Sequence, residues 1–350
     1  MVLDNKKKRT VQEERRRRDR SNLTLVLLLF LLVLCLVLGY YFIKNENQKQ
    51  NRVDVASSIE TDKENVYFEL LESSNETADG QTGEAANSER PIGPRFRDEF
   101  QPTMESLFQD RELIRANIER YFIDRRHPKE IDPMHTTDGK DVLYIYHSHS
   151  REAFLTYLKN TEKPEEAYHA TANVTLIGKM LGEAMERRGI GTQVDASDIG
   201  KELDARGLNY GSSYPVSREH VQAAQKANRN LEVFLDIHRD SLRKDSTTTE
   251  IKGNAFAQLL FVVGTGHAEF EKNLSFTSGL HQKIEERYPG LSKGVLEKDS
   301  SQGNGVYNQD LAPQSVIIEV GGVDNTAEEI SRTIEAFAEV LSDYYWHGER

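Results

Sequence analysis

From residue 138 to the C-terminus, short apolar segments alternate with amphipathic helical patterns, and this alternation restricts the fold more than any other feature. The strand-like segments lie near residues 142–146, 190–194, 231–237, 258–263, 294–297 and 315–320. The helical patterns between and after them run near residues 171–188, 217–228, 267–288 and 326–341. Strands separated by helices build sheets that helices cover. The pattern therefore predicts an α/β domain over residues 138–350, with a mixed, mostly parallel central sheet flanked by helices.

The N-terminus carries a different signal, in which a basic segment precedes a long uncharged one. Residues 1–21 include the basic runs Lys6–Arg9 and Arg15–Arg18, and residues 22–43 are dominated by Leu and Val. At ~1.5 Å per residue, the uncharged run is long enough to cross a bilayer. Because basic flanks stay in the cytoplasm, we expect a cytoplasmic tail, one transmembrane helix in contact with membrane lipid, and an extracytoplasmic remainder.

A cleaved signal peptide is the competing interpretation of residues 22–43. Its apolar region would span only about 7 to 15 residues and would be followed by small residues. Here the apolar run is longer and ends in Tyr40, Tyr41 and Phe42, which are residue types typical of the membrane interface. The sequence therefore favours an uncleaved, single-pass anchor.

Two segments separate the anchor from the α/β domain. Residues 44–104 are polar and acidic, with too little apolar surface to offset the entropy of an ordered chain, so they predict a flexible linker. Residues 105–137 are predicted to form a helical lead-in. Apolar side chains recur at helical spacing between Met104 and Phe122, which indicates one helix that packs onto the following domain.

Charge and cysteine content exclude two classes of protein. The net charge of −12 argues against a nucleic-acid partner, because an acidic surface repels phosphate. The single cysteine, Cys35, permits no internal disulfide. The fold must therefore rest on its apolar core or on a metal ion.

The first strand-like segment ends in side chains of the types that bind metal ions. His147, His149 and Glu152 follow the apolar residues 142–146 directly. In the spacing H-x-x-E, a turn after the strand brings His149 and Glu152 to one side of the chain. A catalytic zinc ion needs such nitrogen and oxygen ligands, a third protein ligand and an open position. Alone, so short a pattern often arises by accident.

Two other strand ends supply the groups that the first one lacks. His238 follows the apolar segment 231–237, and Glu319 interrupts the apolar segment 315–320. A carboxylate inside an apolar strand is costly unless it is paired, hydrogen-bonded or near a metal. Because ligands of α/β sheets bind beyond the carboxyl ends of strands, we expect these groups to converge. The hypothesis is a hydrolytic Zn²⁺ site with His149, Glu152 and His238 as ligands and Glu319 as general base.

Neighbouring polar residues receive supporting roles in this hypothesis. Asp236 or Asp240 is expected to hold a ligand histidine by its second ring nitrogen. Arg239 is a candidate to bind a substrate carboxylate or a developing oxyanion, and a structural ion pair is the alternative for Arg239 and Asp240. Asn308 and Gln309 are candidates to line the substrate groove, with turn chemistry as the competing explanation.

Five segments of the domain resemble the stage II sporulation protein P family. They are Tyr144–Glu152, Tyr210–Arg218, Asp236–Ser241, Tyr307–Leu311 and Ile318–Gly322, in the order typical of that family. The resemblance implies the fold of type 3 zinc amidases and hydrolysis of peptidoglycan at the N-acetylmuramoyl-L-alanine amide, with cleavage of peptide cross-links as a second activity. It also implies action at the forespore septum during engulfment, beside a lytic transglycosylase and a multipass membrane protein.

The resemblance extends to individual residues of the candidate site. His149, His238 and Glu319 match the family's essential histidines and catalytic glutamate. The family's first loop more often has Thr and Ser where this chain has Ser148 and Arg151. Two alternatives stay open. In the first, His147 takes the place of His149 as ligand, or hydrogen-bonds the substrate. In the second, Glu152 supports the ligands from outside and another acidic residue completes the site.

Two other classes of function compete with a wall amidase. One is a module that binds the cell wall without cleaving it, and a degenerate site would favour that class. The other is a zinc peptidase, because the pattern of H-x-x-E with a distant His and a distant Glu also serves zinc carboxypeptidases. An anchored domain outside the membrane meets the cell wall first, which favours the amidase.

Overall fold

The computed structural model describes residues 101–123 and 131–348 of the 350-residue chain. The predicted cytoplasmic tail at 1–21, the anchor at 22–43 and nearly all of the linker at 44–104 lie outside the described residues. Those three predictions stay untested. Within the part of the chain that the structure describes, no helix is both long enough and apolar enough to span a membrane.

The described chain contains seven α-helices and eight β-strands. The helices are α1 (Met104–Phe108), α2 (Ile118–Ile123), α3 (Thr175–Glu186), α4 (Ile199–Ala205), α5 (Ser213–Ala227), α6 (Phe270–Arg287) and α7 (Ala327–His347). The strands are β1 (Asp141–Tyr146), β2 (Gly191–Val194), β3 (Val233–Asp240), β4 (Thr248–Ile251), β5 (Asn254–Ala257), β6 (Leu259–Gly264), β7 (Ser292–Lys298) and β8 (Gln314–Gly322). The alternation of strands and helices predicted from the sequence is confirmed.

Six strands form one mixed sheet in the order β2-β1-β3-β8-β6-β7. Strands β2, β1, β3 and β8 are mutually parallel, whereas β6 pairs with β8 in the antiparallel direction and with β7 in the parallel direction. The remaining strands, β4 and β5, form a separate antiparallel hairpin. The predicted mixed, mostly parallel sheet is therefore confirmed.

Alternating side chains of the central strands enter two different layers of the core. Leu235, Ile237 and Ile318 face a large apolar cluster that includes side chains of α3, α6 and α7. Phe234, which immediately precedes Leu235 on β3, packs in a second cluster with side chains of α5. Because successive strand residues point to opposite faces, the sheet is covered by helices on both faces.

The lead-in contains two short helices, so the prediction of one helix from Met104 to Phe122 is wrong. Between α1 and α2, Leu113 forms an isolated antiparallel bridge with Leu158, and Asn117 has a left-handed backbone with φ of 67°. A left-handed residue cannot continue a right-handed helix. The lead-in nevertheless packs on the domain as expected, since Leu107, Ile118 and Phe122 are buried.

Helix α5 begins four residues earlier than the sequence pattern predicts. The pattern places the start of the helix near residue 217, but the helix starts at Ser213 and carries Pro215 in its first turn. Proline is tolerated there, because the first turn of a helix lacks partners for its N–H groups. The Ser217 hydroxyl lies inside the helix and donates to the backbone oxygen of Tyr214 at 3.1 Å.

Candidate metal centre

His149, Glu152 and His238 form a compact buried group. Each offers one ligand atom, and these atoms all lie within 4.8 Å of one another. The nearest approaches join His149 Nδ1 to Glu152 Oε1 at 3.3 Å and His238 Nδ1 to Glu152 Oε2 at 3.6 Å. The two imidazole rings meet edge to face, with 4.8 Å between their centroids. Two nitrogen donors and a carboxylate at this spacing have the composition of a metal-binding site.

A tight turn after β1 brings the first two members of this group together. The backbone N–H of Glu152 donates to the backbone oxygen of His149 at 3.1 Å, which closes the turn. Glu152 then forms an isolated bridge with Tyr168, and this bridge fixes the end of the turn. The H-x-x-E spacing therefore places both side chains on one side, as the sequence analysis expected.

Hydrogen bonds from outside the group orient the His238 ring. Its Nε2 lies 3.0 Å from Asp236 Oδ1 and 3.0 Å from the hydroxyl oxygen of Ser148, while Nδ1 faces Glu152. Asp236 Oδ1 also accepts the backbone N–H of Ser148 at 2.8 Å. One nitrogen of His238 is thus held by a carboxylate and the other points into the group, an arrangement typical of metal-ligating histidines.

The electrostatics of the group favour positive charge between its members. Burial opposes a charge on His238, but Asp236 and Glu152 outweigh burial and raise the pKa of the imidazole well above its ordinary value. For Glu152, burial is opposed by His238, His149 and Arg239, which together hold the pKa of the carboxyl well below its usual range. A carboxylate that stays ionised beside two imidazoles suits a bound cation.

Glu319 lies beside this group on the neighbouring strand β8. It is the register partner of His238 in the parallel β3–β8 ladder. Burial raises the pKa of Glu319 to about 8, and the charges of Glu152 and Asp240 act in the same direction. Its Oε2 is buried and has no hydrogen-bond partner among the described residues. This unpartnered acid next to the group is positioned to exchange protons with a bound molecule.

His147 lies outside the group and contacts a different part of the fold. Its Nδ1 is 2.9 Å from the backbone oxygen of Asp195, and its ring packs so closely on α3 that a Cβ on Gly178 would lie 2.3 Å from Nε2. Burial lowers the pKa of His147 to about 4. The structure therefore brings His149, and not His147, to Glu152 and His238.

The buried guanidinium of Arg239 is used within the fold and is not presented to a substrate. Its Nε donates to the backbone oxygen of Ala153 and its Nη2 to that of Ala167, both at 2.9 Å. The Arg239 backbone N–H donates to Glu152 Oε2 at 3.0 Å. The prediction that Arg239 binds a substrate carboxylate or oxyanion is corrected accordingly, because the side chain is buried and two of its N–H groups bond backbone carbonyls. The residue supports the Glu152 turn.

The two predicted outer-shell acids have different surroundings. Asp236 contacts His238, as described above. Asp240 accepts the backbone N–H of Leu242 at 2.9 Å and lies 3.5 Å from Lys293 Nζ. Of the two, only Asp236 is in a position to hold a ligand histidine. For Asp240 the alternative role, a structural ion pair, fits better, because its partner is Lys293.

Asn308 and Gln309 are buried structural residues, so their predicted role in lining a groove is also corrected. Asn308 Nδ2 donates to the backbone oxygen of Tyr214 and to the hydroxyl of Ser217. The Gln309 side chain bonds β6 twice, accepting the Gly264 N–H and donating to the Val262 oxygen. With its left-handed backbone (φ of 60°), Asn308 fits the competing explanation of turn chemistry.

Several residues near the group were given no role by the sequence analysis. Ser148 contacts His238, and Tyr210 and Tyr214 contact the His149 ring, with centroid distances of 4.4 and 5.2 Å. An open groove beside His149 is lined by Gln101, His149, Tyr210, Gly211, Tyr214, Gly303 and Asn304. The family resemblance of Tyr210–Arg218 was the one signal that pointed to the tyrosines.

The fold and the site define a mixed α/β protein whose buried His–Glu–His group has the donors and spacing to bind a metal ion. The particular family follows from the sequence. The family model described as Stage II sporulation protein P (SpoIIP) matches residues 37–342, and the chain belongs to this family. The suspected resemblance is thereby confirmed.

A curated relative from the same family supports the assignment. The Stage II sporulation protein P of Bacillus subtilis (strain 168) is 44% identical over 252 residues, which cover 72% of this chain and 63% of the relative. The match thus spans less than two thirds of the relative's length.

Two solved structures show a distant likeness. A metallo-carboxypeptidase from Burkholderia cenocepacia is 13% identical, with a TM-score of 0.36 over 60% of this chain and 58% of its own. Cwp6 from Clostridium difficile is 11% identical, with a TM-score of 0.34 over 59% of this chain and 30% of its own.

Proposed function

We propose that this protein is a membrane-anchored, zinc-dependent peptidoglycan hydrolase that cleaves the amide between N-acetylmuramic acid and L-alanine, with peptide cross-links as a second substrate. The observation that carries the proposal is the position of Glu319 beside the buried His149–Glu152–His238 group. A metal-binding group that has a proton-accepting carboxylate as its neighbour supplies both components of metal-assisted amide hydrolysis. Membership of the stage II sporulation protein P family supports the choice of the cell wall as substrate.

The residues present fit a zinc ion. Two imidazole nitrogens and one carboxylate form a donor set typical of catalytic zinc, and three protein ligands leave a coordination position for water or substrate. His238 Nε2 already lies against Asp236 at 3.0 Å, which leaves Nδ1 for the ion. We assign His149, Glu152 and His238 as its ligands. When bound, zinc supplies Lewis acidity at the scissile carbonyl and activates water near neutral pH.

Glu319 performs the proton transfers of the reaction. It takes a proton from the attacking water as the water oxygen bonds to the amide carbon. It then delivers that proton to the amide nitrogen as the carbon–nitrogen bond breaks, so a carboxylic acid and an amine leave. A pKa raised to about 8 in the metal-free protein suits this exchange, because a general acid–base works best with a pKa near the operating pH.

The location proposed for this activity rests on the N-terminal sequence. The basic tail and the uncharged run at 22–43 are consistent with a single-pass anchor that holds the hydrolase outside the membrane. From the family, we propose that the protein acts in septal wall thinning and engulfment at the forespore membrane. It would act there beside other wall hydrolases and a multipass membrane protein. Peptidoglycan is then the first polymer within reach of the domain.

Digestion of purified sacculi tests the proposed function. The full-length chain is incubated with sacculi, and the soluble products are analysed by mass spectrometry with and without a chelator. We expect peptide-free glycan strands and free stem peptides, loss of both after chelation, and recovery when zinc is added back. Split cross-links with intact lactyl amides would show an endopeptidase in place of an amidase. Binding to sacculi without any cleavage would identify a wall-binding module.

A further inference from the structure

The two histidines of the candidate metal centre are oriented by different kinds of contact. His238 is held through Nε2 by Asp236 and Ser148. His149 has Glu152 as its single polar partner among the described residues, and Glu152 is itself a candidate ligand. A ligand histidine usually has a carboxylate or a carbonyl on its second nitrogen to fix the ring. For His149, another contact must fix the ring plane.

The Tyr210 ring provides that contact. It stacks on the His149 imidazole with 4.4 Å between centroids and 27° between planes. Both side chains are buried, His149 at 8% and Tyr210 at 6% exposure. Stacked rings at this separation attract each other in addition to the area that they bury. The face of Tyr210 therefore restricts rotation of the imidazole about its Cβ–Cγ bond.

Tyr210 is in turn held by the lead-in segment. Its ring belongs to a small apolar cluster with Leu107 and Tyr168, against which Met104 and Phe108 also pack. Leu107 lies on α1 and is 2% exposed. The backbone oxygen of Tyr210 accepts the Ser213 hydroxyl at 2.7 Å, which fixes the turn before α5. The contacts thus form a continuous series from the lead-in to the metal centre.

A second contact fixes α1 to the loop that carries His149. The Arg151 guanidinium lies 4.0 Å above the Phe108 ring and makes a bidentate ion pair with Asp198 at 2.8 and 2.6 Å. Asp198 also caps α4, since its Oδ1 accepts the Lys201 N–H at 3.0 Å. A bidentate pair between buried or partly buried groups holds its partners in a defined geometry. Helix α1 therefore contacts both the Tyr210 support and the His149 loop.

We infer that Tyr210 is a positioning residue for His149, and that α1, through Leu107, holds Tyr210 in place. The inference rests on the proposed function in taking His149 as a ligand of zinc. The lead-in is then more than a connection to the N-terminal segments, because it forms part of the support of the metal centre. Loss of the flat ring at position 210 weakens metal binding without removing any ligand.

Zinc affinity of the full-length chain tests this inference. Affinity is measured by competition with a chromophoric chelator for wild type, Tyr210→Leu, Tyr210→Met and Tyr210→Phe. We expect Tyr210→Leu and Tyr210→Met to bind zinc about 10- to 100-fold more weakly, the usual cost of losing a supporting contact. Tyr210→Phe keeps the ring and should stay within about threefold of wild type. Leu107→Ala should weaken binding in the same direction, and its effect should not add to that of Tyr210→Leu.

A matched control separates support of the metal centre from general destabilisation. Tyr288 is 8% exposed and packs in the large core cluster, which does not include Tyr210, so Tyr288→Leu removes a similar buried volume, together with the hydroxyl that donates to Glu339 Oε2 at 2.8 Å. Thermal unfolding of the zinc-free proteins should show similar losses for Tyr288→Leu and Tyr210→Leu, while Tyr288→Leu keeps wild-type zinc affinity. Tyr210→Met covers the case in which Tyr210→Leu fails to fold, because the unbranched, flexible methionine side chain adapts to the space of the ring without supplying its plane.

The outcomes distinguish the inference from the function on which it rests. Wild-type zinc affinity in Tyr210→Leu or Tyr210→Met, together with loss of binding in His149→Ala, would overturn the inference and leave the proposed zinc site intact. Equal zinc affinity in wild type, His149→Ala and His238→Ala would overturn the ligand assignment, and the role of Tyr210 would fall with it.

Discussion

Glu319 lies directly opposite His238 in the parallel ladder between β3 and β8. Side chains at paired positions of neighbouring strands point to the same face of a sheet. Asp236, two residues before His238 on β3, shares that face for the same reason. The candidate general base, one candidate ligand and the carboxylate that orients this ligand are thus positioned by strand register alone.

Replacing Glu319 should separate catalysis from metal binding. We expect Glu319→Gln to bind zinc as wild type does and to release products from sacculi at least about 100-fold more slowly, because general acid–base catalysis contributes about 10²–10⁴-fold. Zinc content by atomic emission and product release by mass spectrometry measure the two effects. Turnover near the wild-type rate would show that another residue is the base.

The orienting carboxylate should affect metal affinity, and the chain offers a closely matched control. Asp236→Asn removes the charge beside His238 Nε2, so we expect zinc affinity to fall about 10- to 100-fold. Asp240→Asn changes another buried acid, four residues after Asp236 on β3, which contacts Leu242 and Lys293. Chelator competition should find the affinity of Asp240→Asn within about threefold of wild type. Equal losses in both variants would contradict the assignment.

Zinc should stabilise the folded domain if the His–Glu–His group binds it. A ligand that binds only the folded state adds about 2.7 kcal/mol to the free energy of unfolding when its free concentration is 100 times Kd. We expect denaturant titrations with and without zinc to show a gain of this size for wild type. His149→Ala should show almost none, since it lacks one ligand. A full gain in His149→Ala would exclude His149 from the site.

The packing of His147 on Gly178 predicts that substitutions at these two positions are coupled in a double-mutant cycle. Gly178→Ala places a Cβ 2.3 Å from His147 Nε2, so we expect it to lower the free energy of unfolding by about 1–3 kcal/mol through overpacking. In a His147→Ala background the clash with the ring is absent, and the nearest remaining contact of the new Cβ is Ile145 Cγ2 at 3.2 Å. The preference of helices for alanine over glycine, about 0.5–1 kcal/mol, opposes that tight contact, so the same substitution should be much less destabilising than in wild type. Urea denaturation of the four proteins measures the coupling, and additive effects would contradict the observed packing.

His220 should make stability depend on pH. Its ring nitrogens lie 3.0 Å from Asp195 Oδ2 and 2.9 Å from Glu202 Oε1. Burial lowers the pKa of His220, but these two carboxylates outweigh burial and raise it above the ordinary value. Because the folded-state pKa is the higher one, the contribution is fully present below about pH 6.5 and is lost as pH rises through the folded-state pKa.

The measurement for His220 is the difference in unfolding free energy between wild type and His220→Gln as a function of pH. This difference should be largest at mildly acidic pH and should decline as the solution becomes alkaline. A difference that stays constant across this range, or that grows with pH, would show that His220 is not stabilised in its charged form.

Periodicity predicted the elements of the domain well, and it failed in the lead-in, where a non-helical stretch separates α1 from α2. The strand that ends before His147, and the strands that contain His238 and Glu319, lie close to where the apolar segments indicate. The lead-in does not form one helix, because residues 109–117 leave the helical conformation: Leu113 pairs with Leu158 and Asn117 has a left-handed backbone, although the apolar spacing continues. The spacing of apolar residues indicates which side chains face the core, but it does not indicate the backbone conformation between them.

The sequence by itself determined the α/β architecture, the three strand ends that carry polar groups, and the membership of the stage II sporulation protein P family. These follow from local periodicity and from short motifs, both of which are properties of contiguous residues. Only the tertiary structure decided that His149 joins Glu152 and His238, that Asp236 orients His238, and that Arg239, Asn308 and Gln309 are structural. Those assignments depend on contacts between residues as far apart as His149 and His238, and such contacts form only when strands β1, β3 and β8 pair side by side.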